Sequence, residues 1–218
     1  MNNTVYSMDQ SQVQVRVNSF VRSVYNWMAI GLGLTAAIAY FVASDPTLFA
    51  IARKGFILFA IAELALVFML SARIGRMQAG TATGMFLVYA FLNGVTFSYI
   101  FAVYTQTLIA STFFICALTF GALSVFGWVT KRDLTGLGGF MSMGLIGIIV
   151  ASLVNLFVQS SGMQMIISYI GVLVFAGLTA YDTQTIRQMA LSQPAGLDGA
   201  VVRKGAIIGA LKLYLDFI

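Results

Sequence analysis

Of 218 residues, 60% are apolar and 9% charged, and the mean hydropathy is +0.92, whereas a soluble domain carries roughly 25% charged residues, so water is not this chain's main solvent. One cysteine and no histidine exclude a disulfide framework, the commonest ligand for zinc, copper or iron, and the usual general base near neutral pH. The net charge of +5 sits on basic residues placed singly or in pairs at the edges of apolar runs, which excludes a nucleic-acid surface and reads as membrane topology.

Residues 1–20 are polar and lack the basic start, apolar core and small-residue cleavage site of a secretory signal. They are expected to form a cytoplasmic segment ahead of one membrane domain spanning 21–218. Val13, Val17, Phe20, Val21 and Val24 fall on one helical face. That pattern suits either a helix lying at headgroup level or an extension of the first span.

Apolar runs long enough for a hydrocarbon core, which takes about 20 helical residues, follow at about 24–44, 54–73, 80–104, 107–130, 137–158 and 163–187. A seventh, from about 200, is still running at Ile218. Turn signals separate them, among them Ser44-Asp45-Pro46 and the stretch 192–199 around Pro194. Cys116 lies inside the fourth run and reads as a small core hydrophobe.

The N-terminal segment and the second, fourth and sixth connections carry Arg16, Arg22, Arg73, Arg76, Lys131, Arg132, Arg187, Arg203 and Lys204, whereas the first, third and fifth carry only Arg53 and Lys54. The amino terminus is therefore expected in the cytoplasm and, with seven spans, the carboxyl end on the opposite side.

Three acids fall inside the spans: Glu63, Asp182 and Asp216. An acid at a helix centre costs about 2.5–3.5 kcal/mol on insertion scales, so each should face the bundle interior and is a functional candidate. Glu63 is a candidate pore acid, with a hydrogen bond to a hydroxyl on a neighbouring helix as the plainer account. In the seventh run Gly205, Gly209, Lys212 and Asp216 share one stripe, and the two glycines form a GxxxG pair that allows close helix packing. Gly80 and Gly84 form another with no evident purpose. In the sixth run Gly171, Phe175, Leu178 and Asp182 form a comparable line, so the two helices can pack with their carboxylates facing.

Two carboxylates brought close in a poorly hydrated site share a proton and titrate in two separated steps, the upper of which can approach neutral pH. Such a pair gives a chain without histidine a pH sensor and gate. When the proton leaves, the repulsion is relieved by a cation or by separation of the helices. Arg73, Arg76 and Lys212 are the candidate fixed charges, and Ca²⁺, with its taste for oxygen ligands in flexible geometry, the mobile one. Two carboxylates fall short of its coordination number, so this metal site on Asp182 and Asp216 is expected to be weak. The pair meets only if the sixth span runs past Arg187 toward Ser192, or if the seventh starts later.

At Thr179-Ala180-Tyr181-Asp182-Thr183-Gln184 and Gly209-Ala210-Leu211-Lys212-Leu213-Tyr214-Leu215-Asp216-Phe217-Ile218 the sequence resembles the Bax inhibitor-1 family, also called the transmembrane Bax inhibitor motif family, in its bacterial branch. Weaker matches are Glu63-Leu64-Ala65-Leu66-Val67 and Lys131-Arg132-Asp133-Leu134. The resemblance implies an all-α membrane protein, a seven-transmembrane-helix bundle with a central C-terminal helix, multi-pass in the bacterial inner membrane. It also implies a pH-sensitive calcium leak governed by a di-aspartyl pair, here Asp182 and Asp216, with an arginine latch at Arg73 or Arg76. Members of the family continue the last helix further, so the seventh helix is expected to be cut short at Ile218.

The leading reading is thus a non-enzymatic, proton-gated leak whose partners are the bilayer, protons and Ca²⁺, with no cofactor. An adaptor that modulates a membrane-bound quality-control protease is the alternative, with the polar N-terminal tail as its docking segment. Intramembrane aspartyl proteolysis also uses paired aspartates, but Leu213-Tyr214-Leu215-Asp216 stands where such proteases have Gly-x-Gly-Asp, and Pro194-Ala195-Gly196 does not replace their Pro-Ala-Leu.

Overall fold

A computed structural model describes residues 10–192, 194 and 198–218. Among these residues there are eight α-helices and no strand: α1 (Gln10–Ser44), α2 (Pro46–Lys54), α3 (Phe56–Arg73), α4 (Ala79–Val103), α5 (Gln106–Val129), α6 (Thr135–Val158), α7 (Ser161–Leu191) and α8 (Gly199–Phe217), with a 3-10 turn over Ile74–Arg76. Six of the helices, α1 and α3–α7, are long and apolar enough to cross a membrane. The seventh run of the sequence reading is present as α8 but is not among these six. α8 packs Arg203, Lys204, Lys212 and Asp216 into 19 residues, and that charge removes it from the apolar class.

The stretch read as a plain turn at Ser44-Asp45-Pro46 also starts a helix, because Asp45 accepts from the amides of Thr47 and Leu48 at 2.8 and 3.0 Å while Pro46 takes the first helical position. α1 passes through residue 20 unbroken, so the amphipathic stretch from Gln10 onward extends the first span. Residues 1–9 of the proposed cytoplasmic segment, and 193 and 195–197 of the turn around Pro194, lie outside the described residues.

The chain divides into two compact units. The first holds the described residues up to Ile109 together with Arg187–Tyr214. Its packing depends on glycines that let helix backbones touch. A methyl group added at Gly94 of α4 would stand 2.7 Å from Ile38 Cβ and 2.8 Å from the Thr35 carbonyl oxygen of α1, and one at Gly31 would stand 2.7 Å from the Phe86 ring. The second unit holds Ala110–Ile186 with Leu215–Ile218. Here a Cβ at Gly127 of α5 would run into the Ala180 carbonyl of α7, one at Gly138 of α6 into the Tyr181 ring, and one at Gly177 of α7 into Met141. Helices in lipid gain nothing from hiding apolar surface, so such close contact is what holds them together.

Candidate functional site

Asp182 lies on α7 and is 7% exposed, between Thr183 and Gln184 on one side and Leu178, Thr179 and Ala180 on the other, all buried. Asp216 lies in the last turn of α8, half-buried, with its Oδ2 shut off from solvent. Both acids belong to the second unit. α7 runs to Leu191, past Arg187, which is the first of the two conditions set above for a meeting of the two acids.

One helix touches the neighbours of both acids. On α5, the rings of Phe113 and Phe120 pack edge-on against Phe217 with centroids 5.4 and 5.5 Å away, and Ser124 Oγ stands 3.5 Å from Thr183 Oγ1. Phe120 and Ser124 are four residues apart, one helical turn or about 6 Å of rise. The residue after Asp216 and the residue after Asp182 therefore rest on consecutive turns of the same helix.

Gln184 has a role that the sequence reading did not assign. Its side-chain Nε2 donates to the Arg132 carbonyl at 2.8 Å and its Oε1 accepts from the Leu134 amide at 2.9 Å. Two residues beyond Asp182, one amide thus pins both sides of the α5–α6 connection. That connection is further ordered by Asp133, which accepts from the Thr135 hydroxyl at 2.6 Å and the Thr135 amide at 2.9 Å. The Thr135 hydroxyl first, and its amide second, hold this exposed carboxyl below the usual carboxylate range. Glutamine in a span must place two donors and an acceptor, and that demand was the available signal.

Tyr214 is the second residue the sequence reading left without a task. It is fully buried, packs edge-on against Phe86 and Tyr89 with both centroids at 5.8 Å, and sets its hydroxyl 2.7 Å from Thr35 Oγ1. Thr35 in turn donates to the Ala90 carbonyl at 2.8 Å. A buried tyrosine needs a partner for its hydroxyl, so its place two residues before Asp216 could have marked it.

The other candidates fall as follows. Glu63 is half-buried in the first unit and accepts from Thr96 Oγ1 at 3.0 Å, the plainer of its two accounts. Gly209 is buried while Gly205, Lys212 and Asp216 are half-buried, so their stripe borders the fully buried arc of α8 around Ala206, Ala210 and Tyr214. Nothing lies within 4 Å of a Cβ added at Gly80, Gly84 or Gly171, so neither the first GxxxG pair nor the glycine end of the α7 line is a close-packing point.

Arg73 and Arg76 are exposed at the end of α3. Lys204 Nζ reaches the Gly75 carbonyl between them at 3.5 Å, which fixes this turn near the start of α8. Among the described residues no three or more His, Cys, Asp or Glu side chains come together as a metal cluster. A cation at the acids would draw on two carboxylates at most, together with backbone and water oxygens.

The family described as inhibitor of apoptosis-promoting Bax1 matches residues 17–218. The inner membrane protein YbhL of Escherichia coli is 46% identical over 210 residues, covering 95% of this chain and 89% of that protein. An uncharacterized protein of Deinococcus radiodurans is 44% identical over 212 residues, covering 97% and 90%. The uncharacterized protein RP147 of Rickettsia prowazekii is 47% identical over 203 residues, covering 91% and 84%.

Proposed function

The chain belongs to the Bax inhibitor-1 family of membrane proteins, and from that premise we propose that it is a pH-sensitive leak for Ca²⁺ and similar cations, with Asp182 and Asp216 as a proton-sharing gate. It acts without bond-making chemistry, in a bacterial inner membrane, with its amino terminus in the cytoplasm. α8 serves as the seventh span: 19 residues rise about 28 Å, close to the roughly 30 Å of a hydrocarbon core. Its charges are tolerable there because its flanks are buried in protein, as at a central position.

The observation that carries this reading is the shared footing on α5. Phe217 on Phe120 and Thr183 on Ser124 bring the two acid-bearing segments to adjacent turns of one helix, inside one unit. Protonated, such a pair is held by a hydrogen bond. Deprotonated, it repels itself and favours either a cation between the carboxylates or separation of α7 from α8.

Calcium flux into proteoliposomes across a pH series tests the proposal. The native chain should show flux that changes with pH, and Asp182→Asn and Asp216→Asn should each flatten that dependence. Identical pH profiles in all three proteins would refute it.

A further inference from the structure

At the end of the bundle where arginine and lysine gather, a cavity of about 340 Å³ lies between the first turns of α1, the last turn of α7 and the start of α8. All of its lining belongs to the first unit. The lining is mixed in kind: Arg16, Arg203, Ser19 and Ser23 bring polar groups to it, and Val13, Leu191 and Val202 apolar ones. We propose that this cavity binds the phosphate headgroup of an anionic phospholipid.

Two guanidinium groups on one small cavity are the signature of a phosphate or carboxylate site, because each fork meets two oxygens at once. Arg203 has one contact that steadies it: its guanidinium carbon stands 5.5 Å from the centroid of the Trp27 ring, a cation–π contact that takes up none of its N–H donors. Tryptophan is also enriched at the level of lipid headgroups, which suits a phosphate site beside Trp27. The start of α8 is not the anion site, since the Ala200 amide is taken by Asp198 Oδ1 at 3.1 Å. The side chains are.

The mixed lining selects the source of the phosphate. A free phosphate has no use for Leu191, which is exposed, or for Val13 and Val202, which are half-buried, whereas a phospholipid lays its glycerol and first methylenes against them. The volume accepts a headgroup and leaves the acyl chains in the bilayer. A lipid seated here touches α1, α7 and α8 together, although the binding does not depend on the leak reading.

The test is native mass spectrometry of the full chain in detergent, titrated in separate arms with phosphatidylglycerol, with zwitterionic phosphatidylethanolamine and with inorganic phosphate. At about 1 kcal/mol for each basic residue at a membrane surface, about a fivefold change, two arginines should give at least a tenfold preference for phosphatidylglycerol over phosphatidylethanolamine. Arg16→Gln and Arg203→Gln should each remove about fivefold of it, so the result does not hang on a double variant folding. The Arg53→Gln, Lys54→Gln protein, altered at the first connection, should keep the full preference. Equal binding of the two lipids, a preference untouched by both single variants, or occupancy by inorganic phosphate in place of lipid would each overturn the proposal.

Discussion

Tyr214 donates its hydroxyl proton to Thr35. The two oxygens stand 2.7 Å apart, and the direction follows from the third partner: Thr35 places its only proton on the Ala90 carbonyl at 2.8 Å, which has none to give, so Thr35 can only accept from tyrosine. The relay runs from α8 through α1 to α4. With the Tyr214 ring wedged between Phe86 and Tyr89, it fixes the rotation of α8 about its axis, and with it the direction in which that helix presents Asp216.

Tyr214→Phe keeps the ring packing and leaves Thr35 with its bond to Ala90, so it should cost about 0.5–1.5 kcal/mol, the worth of one buried hydrogen bond. Thr35→Val should cost more, about 1–3 kcal/mol, because it leaves the Tyr214 hydroxyl buried with no acceptor. Denaturant titration of both variants and the double variant checks the order. Equal losses in the two single variants would show that the relay does not run in this direction.

The glycines divide into two classes with opposite expected responses. At Gly94 and Gly127 an added methyl meets backbone oxygen of another helix, which cannot move without parting the helices. Gly94→Ala and Gly127→Ala should destabilise by about 1–3 kcal/mol, the usual cost of overpacking. At Gly80 and Gly84 the space is open, and alanine should be neutral or add up to about 1 kcal/mol through its better helix propensity. Thermal unfolding in detergent separates the classes, and a stabilised Gly94→Ala would contradict the packing described.

What could be read from the sequence follows from the same physics. Hydropathy placed every long helix, because a run of about 20 apolar residues has one use in a membrane. It missed α2, where an Asp-Pro cap starts a helix inside a connection, and it placed α8 although four charges in that helix keep it out of the apolar class. Asp182 and Asp216 stood out by their charge in an apolar setting, and so did Glu63. Gln184, Tyr214 and Thr35 did not, since uncharged polar residues are common in spans. Their importance rests on partners 50 or more positions away, which no local pattern reveals. The spacing of glycines was equally blind: one GxxxG pair borders a buried arc and the other faces open space.

Gln184→Ala should release the α5–α6 connection, since it strips a partner from the Arg132 carbonyl and from the Leu134 amide at once. Loss of two hydrogen bonds of ordinary worth amounts to about 1–3 kcal/mol of local stability. Hydrogen exchange should quicken at the Leu134 amide by about tenfold or more, at 1.4 kcal/mol per factor of ten, while α1 and α4 stay protected. Gln184→Glu keeps the acceptor for Leu134 and sets a negative charge against the Arg132 carbonyl, so it should restore protection at Leu134 only in part. Unchanged exchange in Gln184→Ala would mean that the connection is held by something else.

The same connection should loosen in acid through Asp133. The carboxyl is held below its usual range by bonds from the Thr135 hydroxyl and amide, so folding favours its charged form. A group whose folded value is depressed contributes fully above its unfolded value, about 3.9 for aspartate, and its contribution fades as the pH falls through the lower, folded value. The Thr135 amide resonance should therefore shift with a midpoint below about 3.9, and its exchange should quicken only on the acid side of that midpoint. In Asp133→Asn the amide oxygen still accepts but carries no charge to lose, so the acid transition at Thr135 should vanish while the connection stays ordered by Gln184 at neutral pH. A midpoint at or above the ordinary aspartate value in the native chain would show that the two bonds from Thr135 do not favour the carboxylate.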